Sequence, residues 1–501
     1  MAHPTDSIIA KMRSPSSEDR EVIRRAYDFA EVAHGEEKRK SGEPYIVHPH
    51  AIATYLADLG MDRDTIVAGI LHDTTEDTDT PIEDIEKNFG PTVRFLVESL
   101  TKLSKLKYHG LERHVESLRN LLVATASDLR VIIIKMADRL HNMRTIEYIT
   151  PIEKQQRIAR DTMEVYVPIA ERLGMGNIKA ELEDLAFGVL EPERYATLTK
   201  LIDDKKKEVR DKIEEDIKDL KREFAESGMR AFRTEYRLKG VHSFGQKARR
   251  KYGDDFSRVY DLFALRIMVK NSEDCYRALG IVHGFWRPIP GKVKDYIAFP
   301  KPNGYQSIHT TIITHRGVTI EIQIRTDDMH RHAQFGIASH FGYKHNEGLA
   351  QTPLEWLQSL IPNLGKKNDV SASSPRWLSE LSRVEGEHPE FENFEEILKN
   401  DFFAERMFVF TPKGDVIDLP QNATPIDFAY NIHSDVGDAM VGARVNGKQV
   451  SLDTTLGNGD VVEIVTSKNS RVRKKWLTVA HTASAKAHIR AALRKQGGSE
   501  T

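Results

Sequence analysis

The sequence predicts a multidomain protein: an all-α bundle, then an α/β domain with a mixed sheet, then a small β-rich unit. Three observations carry this. Between Glu21 and about Leu201, apolar residues recur at helical spacing and Gly or Pro punctuates the segments (Gly42, Pro44, Gly60, Pro81, Gly90, Pro91, Pro151). From Val318 to Arg325 the alternation is strict, with Val318, Ile320, Ile322 and Ile324 on one face and Thr319, Glu321, Gln323 and Arg325 on the other. From Arg406 to Ser467, apolar runs at Met407–Thr411 and Val461–Thr466 flank a Pro412-Lys413-Gly414-Asp415 turn and a short helix over Pro425–Ile432.

The remaining segments follow in order. Residues 1–20 are polar and are expected to be disordered. Residues 203–226 mix Lys, Arg, Asp and Glu, which reads as a solvated helix with i,i+4 pairs, so 201–230 is expected to be a helical connector. Within 231–345, Arg258–Val269 reads as a strand, Glu273–Trp286 as a helix, and a Pro/Gly-rich loop follows. Residues 346–402 are expected to be a linker with helices, Gly/Lys/Ser/Pro-rich at Gly365–Pro375. Residues 468–501 are expected to be a basic helical tail.

Composition narrows the function classes. Of 501 residues, 30% are charged and 40% hydrophobic, an ordinary globular balance. The net charge of -2 supplies no global field for nucleic acid or membrane, so any nucleic-acid contact needs a local patch. Cys275 is the single cysteine, which excludes an internal disulfide and a Cys-rich zinc site and agrees with a cytoplasmic location. The N-terminus lacks the apolar core of a signal peptide. The longest apolar run, around Val131–Ile134, is too short to span a bilayer.

Two sets of phosphate-handling residues stand about 200 residues apart. The first is His48, His72, Asp73, Glu76, Asp77 and Asp138. His72-Asp73 ends the apolar run Ile66–Leu71, and on a continuing helix His72 would lie above Glu76 and Asp73 above Asp77. Asp138 interrupts an apolar face, where an unpaired carboxylate is costly, and Asn142 follows one helical turn later. Two imidazoles and two carboxylates make an N/O shell suited to Mn, Fe or Zn with open positions. Glu76 and Asp77 remain for acid/base work. A lone His-Asp pair at a helix end is usually a surface pair; the added carboxylates make this one a candidate metal centre. Arg39-Lys40-Ser41-Gly42 reads either as an exposed turn or as a phosphate and base clamp.

The second set is Asp261, which opens a strand, and Glu321 on the polar face of another. Two such carboxylates can hold Mg²⁺. Phosphoryl-type transfer needs metal, cations and in-line geometry, and the cations include Arg237, Lys239, Lys247, Arg266, Lys292, Lys294, Lys301 and Arg325. The turn Asn303-Gly304-Tyr305 projects a ring suited to stacking on a base. The structural alternative has Asp261 capping its strand, Glu321 paired with Arg325 and Tyr305 packed. Composition does not name the nucleotide.

Six motifs resemble the RelA/SpoT homologues, the bifunctional (p)ppGpp synthetase/hydrolases of the bacterial stringent response. They are Arg39–Tyr45, His72–Thr78, Ala137–Thr145, Tyr260–Ala264, Asn303–His309 and Glu321–Thr326, and the resemblance covers about 21 to 495. It implies an HD-type hydrolase over 21–200 that binds Mn²⁺ through His48, His72, Asp73 and Asp138 and removes the 3′-pyrophosphate of (p)ppGpp. Glu76 and Asp77 would activate the water, and Arg39, Lys40, Ser41, Asn142 and Thr145 would hold the nucleotide. It implies a nucleotidyltransferase-like synthetase over 231–345 that moves pyrophosphate from ATP to the 3′-hydroxyl of GDP or GTP. There Asp261 and Glu321 would bind Mg²⁺, with Glu321 as base. Tyr305 would stack on guanine, His309 would support the acceptor phosphates, and Arg237, Lys239, Lys247, Arg266, Lys294 and Lys301 would hold the nucleotides. It implies a β-grasp TGS module over 403–467 that meets uncharged tRNA on the ribosome through His433.

The chain departs from the family pattern in three places. Lys292-Val293-Lys294-Asp295 stands where bifunctional members usually carry Arg-x-Lys-Asp, and lysine lacks the bidentate fork of arginine. Gly245 replaces the usual aromatic after Ser243-Phe244. The 501 residues are expected to hold none of the helical, zinc-finger or ACT modules of long members. A second reading is therefore kept: a Mn²⁺-dependent hydrolase whose synthetase domain is weak or sensory. A third, a non-enzymatic tRNA- or ribosome-associated factor, rests on the basic stretch 471–495.

Overall fold

The helical spacing between Glu21 and Leu201 folds as a bundle in the first of two units, 1–349 and 350–501. The computed structural model describes residues 3–104, 128–256, 262–301, 303–341, 406–413, 416–457, 459–467 and 470–497. The expected linker over 346–402 lies outside the described residues. No helix among the described residues is long and apolar enough to cross a membrane.

The bundle comprises α1 (Asp6–Lys11), α2 (Ser17–His34), α3 (Val47–Asp58), α4 (Arg63–Leu71), α5 (Thr74–Asp77), α6 (Ile82–Ser104), α7 (Leu129–Arg144), α8 (Ile152–Asp161), α9 (Val167–Arg172) and α10 (Gly176–Leu190). Local caps set the starts. Ser16 Oγ accepts from Asp19 N (3.0 Å) and Asp19 Oδ2 from Ser16 N (2.9 Å), a reciprocal capping box. Asp62 caps α4 and Asp128 caps α7 in the same sense. Gly90, at φ +88°, together with Pro91 breaks α6 into two segments. Every residue of the α4 run Ile66–Leu71 is buried, as are Val131–Ile134 of α7. The polar N-terminus is not disordered as expected: α1 buries Ile8 and Ile9, and Lys11 Nζ bonds Asp58 Oδ2 of α3 at 2.5 Å. Two isoleucines suffice to anchor this short helix.

The mixed sheet contains β1 (Phe232–Leu238), β2 (Phe263–Val269), β3 (Arg287–Pro288), β4 (Lys294–Asp295), β5 (Ile308–Ile313) and β6 (Thr319–Thr326). Its order is β1-β2-β6-β5-β3, with β4 paired to β5; β2 and β6 are parallel and the other pairs antiparallel. Ile320, Ile322 and Ile324 of β6 are buried as the alternation requires. They pack with α12 (Val241–Tyr252), α13 (Ser272–Phe285) and α11 (Pro192–Glu226). α11 is therefore not a solvated connector. Leu198, Ile202, Ile213, Leu220 and Phe224 carry its apolar stripe into the core of the sheet domain, while its charged faces stay outside.

Two short helices, α14 (Asp327–Phe335) and α15 (Ala338–Phe341), follow the sheet, and the turn between them and the loop at Asn303 both bond to main chain of the bundle. Ile337 N donates to Leu173 O at 3.0 Å, and Asn303 Nδ2 donates to Glu171 O at 2.9 Å. A Cβ at Gly336 (φ +55°) would stand 1.9 Å from Leu173 O, so no other residue fits there.

In the second unit, β7 (Arg406–Phe410) and β8 (Val416–Pro420) form a hairpin, followed by α16 (Pro425–Ile432) and α17 (Ser434–Asp438). β9 (Met440–Val445) pairs with β10 (Lys448–Val450) and β11 (Val462–Thr466). The C-terminal segment is not a free basic tail. α18 (Trp476–Val479) and α19 (Ala483–Gly497) bury Trp476, Ala480, Ala485, Ile489 and Ala492 against α16. The carboxylate of Asp427 in α16 staples this segment. Its Oδ1 accepts from Thr482 N (2.7 Å), Thr482 Oγ1 (2.9 Å) and His481 N (2.9 Å), and its Oδ2 from Thr424 N and Oγ1 (both 2.8 Å).

Candidate active sites

His48 lies in the first turn of α3, His72 caps the C-terminus of α4, and Asp138 sits inside α7, all three buried because those helices are core elements. Among the described residues, these three gather ligand atoms within 4.8 Å of one another. Asp73 adds Oδ2 at 3.0 Å from His72 Nε2 and 3.4 Å from His48 Nε2, and Asp138 Oδ1 is 3.5 Å from His48 Nε2. The expected ligand residues are thus together. His72 Nδ1 donates to Gly69 O at 2.9 Å, which leaves Nε2 to face the carboxylates; that atom is buried, near Asp73 yet without an aligned hydrogen bond. An orphaned imidazole nitrogen amid two carboxylates and a second imidazole fits a divalent cation. Burial opposes the charges of Asp73 and Asp138. Even so, His72 and His48 hold Asp73 well below the usual carboxylate range, and Lys135 with His48 does the same for Asp138. Both stay ionised, as metal binding requires.

The helix does not continue through His72 as the four-residue spacing suggests. α4 ends at Leu71 and Asp73 caps α5, so Glu76 and Asp77 lie on a separate short helix, half-buried and exposed respectively. Asp77 Oδ2 is 2.6 Å and Asp73 Oδ2 2.8 Å from the Tyr45 hydroxyl. Asn142 Nδ2 donates to Asp138 Oδ1 at 2.6 Å, and its Oδ1 accepts from Arg39 Nη2 at 2.9 Å. Arg39 Nη1 also lies 2.9 Å from His141 Nδ1. Ser41 Oγ donates to Glu43 Oε2 at 3.0 Å and Thr145 Oγ1 to His141 O at 3.1 Å, while Lys40 is exposed beside them.

Three residues at this site were not singled out from the sequence. Tyr45, in the turn before α3, touches both Asp73 and Asp77 at the two ends of α5. Lys135 Nζ is 2.8 Å from Asp138 Oδ2 inside the bundle. His141 is held down to about 3 by burial, then by His48 and Arg39, so it is a neutral imidazole. Lys135 stands one turn before Asp138, a spacing that could have found it.

The second set is assembled by the sheet. Register puts Arg237, Ala264, Glu321 and Thr311 in one cross-strand row, and Glu235, Arg266, Gln323 and His309 in the next. Rows on one face of a pleated sheet share that face, so Glu321, His309, Arg237 and Arg266 converge. His309 Nδ1 is 3.4 Å from Glu321 Oε1 and Nε2 is 2.7 Å from the Tyr305 hydroxyl. Lys301 Nζ stands over the rings of Tyr296 (5.0 Å) and Tyr305 (5.2 Å), and burial lowers its pKa. Arg266 Nη1 bonds Glu235 Oε1 at 2.8 Å. Arg325 lies under Tyr305 rather than on Glu321, its Cζ 5.7 Å from the ring centroid. Lys294 opens β4 opposite His309, Lys239 follows β1, and Lys247 lies on α12. Asp261 lies outside the described residues.

Two departures from the family pattern acquire physical readings. A Cβ at Gly245 would stand 2.5 Å from Leu198 Cδ1, so this position faces the packing of α11. Lys292 is exposed in the turn before β4, whereas Asp295 organises that loop: its Oδ1 accepts from Ile297 N and Ala298 N at 2.9 Å, and its Oδ2 from the Tyr276 hydroxyl at 2.9 Å. In the second unit, His433 is exposed and caps α17 through Asp435 N (3.1 Å).

Comparisons with known proteins agree with this division. Residues 26–176 match the HD domain family, 236–348 the region found in RelA / SpoT proteins, and 407–466 the TGS domain. The chain is 44% identical over 476 residues to a GTP pyrophosphokinase of Streptomyces coelicolor, covering 95% of this chain and 56% of that protein. It is 44% identical over 489 residues to a guanosine-3′,5′-bis(diphosphate) 3′-pyrophosphohydrolase of Aquifex aeolicus, covering 97% and 67%. It is 39% identical over 476 residues to the bifunctional (p)ppGpp synthase/hydrolase SpoT of Escherichia coli, covering 94% and 64%. The chain thus spans little more than half the length of the Streptomyces relative.

Proposed function

Since the chain belongs to the RelA/SpoT family, we propose that it both removes the 3′-pyrophosphate of (p)ppGpp, giving GDP or GTP, and transfers pyrophosphate from ATP to the 3′-hydroxyl of GDP or GTP, releasing AMP. The observation that carries this is the coexistence of two separate sets of polar residues, each beside cations, in one chain: His48/His72/Asp73/Asp138 on helices and Glu321 with His309 on the sheet.

For hydrolysis, His48, His72, Asp73 and Asp138 would hold Mn²⁺. A bound divalent cation supplies an acidified water and polarises a phosphoryl oxygen. Glu76 or Asp77, on α5 beside Asp73, accepts the proton of the attacking water. Arg39, Lys40, Ser41, Asn142 and Thr145 hold the nucleotide, with the Arg39 guanidinium available to stack on a base or fork onto phosphate. For synthesis, Asp261 and Glu321 would hold Mg²⁺, and Glu321 takes the proton of the 3′-hydroxyl. Arg237, Lys239, Lys247, Arg266, Lys294 and Lys301 neutralise phosphate charge, Tyr305 stacks on guanine, and His309 supports the acceptor. A cytoplasmic location and contact of His433 with uncharged tRNA on the ribosome complete the reading.

Asp73→Ala should abolish release of pyrophosphate from ppGpp and spare ppGpp synthesis, and Glu321→Ala the reverse. A folded single variant that lost both would refute two sites. The second reading, a hydrolase with a weak or sensory synthetase, draws on Lys292 and Gly245. It is favoured if the purified chain cleaves ppGpp with Mn²⁺ but makes none from ATP and GDP with Mg²⁺.

A further inference from the structure

We propose that His141 is a positioning residue that sets the tautomer of His48, so that His48 turns a bare Nε2 toward the metal; this rests on the hydrolase reading above. Its Nδ1 receives two contacts, one from Arg39 Nη1 and one from His48 Nδ1, each at 2.9 Å. A guanidinium only donates. His141 Nδ1 is therefore a lone-pair acceptor, and the proton of that ring sits on Nε2. Of two facing Nδ1 atoms one must donate, so the proton of His48 is on Nδ1. Its Nε2 is then the nitrogen left for a metal to take, and it points at Asp73 Oδ2 (3.4 Å) and Asp138 Oδ1 (3.5 Å).

Each imidazole of the centre thus has its own tautomer-setting partner. For His72 that partner is the Gly69 carbonyl. For His48 it is a second imidazole, in place of the carboxylate or carbonyl that usually backs a metal-ligating histidine. Arg39 makes the arrangement one-way: as a donor on the same nitrogen, it prevents His141 from carrying its proton there. The same guanidinium reaches Asp138 through Asn142, so it stands one side chain away from two ligands.

The test uses the full chain with His141→Leu and His141→Asn. The asparagine Oδ1 falls near the former Nδ1 and restores the acceptor; leucine removes it. Mn²⁺ affinity is measured by electron paramagnetic resonance of the free ion, and ppGpp synthesis reports on folding. His141→Leu should weaken Mn²⁺ binding roughly 10–100-fold, and His141→Asn should restore most of it. Leucine binding Mn²⁺ as the parent does, or asparagine as poor as leucine with synthesis intact, overturns the proposal. Nitrogen-15 imidazole spectra of the metal-free parent provide a second readout that needs no variant. A proton on His48 Nδ1 with none on His141 Nδ1 supports the proposal, whatever His48 Nε2 carries before metal is added, and a proton on His141 Nδ1 or none on His48 Nδ1 overturns it. If the parent binds no Mn²⁺, the hydrolase reading falls, while the spectra still decide this inference.

Discussion

Asp427 offers a quantitative test of how the second unit is held. Its side chain is 1% exposed and accepts from Thr424, His481 and Thr482. In Asp427→Asn one oxygen survives. If it takes the Oδ1 place, the amide NH₂ faces Thr424 N donor against donor, and the Thr424 hydroxyl must turn from donating to accepting. Each hydrogen bond to a charged group contributes about 1.5–3 kcal/mol and each orphaned buried donor costs about 1–3, so roughly 3–5 kcal/mol should be lost. Asp427→Ala orphans the backbone N–H groups of Thr424, His481 and Thr482, which costs roughly 3–9 kcal/mol, comparable to the whole stability of a small domain. Hydrogen exchange followed by mass spectrometry reads this directly. A loss of about 3 kcal/mol should accelerate exchange in α16 and α19 roughly 100-fold, with the amides of α3, α4 and α7 as the unaffected control. Unchanged protection of Ala483–Gly497 in Asp427→Ala would refute the staple.

Three further outcomes are expected. Tyr45→Phe removes the hydroxyl shared by Asp73 and Asp77; loss of about 1.5 kcal/mol of orientation should slow ppGpp hydrolysis about tenfold and leave synthesis alone, which paired assays check. His309→Leu removes the contact between Tyr305 and Glu321 and should cut kcat of synthesis roughly 10–100-fold with hydrolysis unchanged, as steady-state kinetics at saturating ATP and GDP would show. His330 is pushed down to about 4 by burial and then by Arg325, so the unfolded chain takes up its proton near 6.5 while the native state does not until about 4. Stability is therefore intact above pH 7 and falls by up to roughly 3 kcal/mol as pH drops from 6.5 to 4; His330→Gln should flatten that slope in urea titrations.

Much of this was legible in the sequence for physical reasons. β6 was readable because one face is buried and its period is two, which also fixed Glu321 on the open face. Asp138 was readable because a carboxylate inside Val131–Leu140 needs a partner. The apolar stripe of α11 was present in the sequence, at Leu198, Ile202, Ile213, Leu220 and Phe224, but the dense charges between these positions hid it. Trp476, Ala485 and Ile489 were likewise masked by neighbouring arginines and lysines. Tyr45 and His141 lie inside the motifs Arg39–Tyr45 and Ala137–Thr145, but their roles were not readable, since these arise from contacts between residues far apart in the chain. The break at His72-Asp73 has no Gly or Pro to announce it.

The contact of Gly336 with Leu173 has a genetic consequence. A screen that scores the two activities separately should sort missense changes into those that lose hydrolysis and those that lose synthesis, with seam positions as a third class. Gly336 touches neither set of polar residues, yet any side chain there collides with main chain of the bundle and, through the neighbouring Glu171–Asn303 bond, disturbs the turn carrying Tyr305. Gly174, whose added Cβ would stand 3.3 Å from Gly336 Cα, belongs with it. One lesion at either position would mimic the loss of two enzymes, and a compensating change would be expected across the seam rather than in either catalytic cluster.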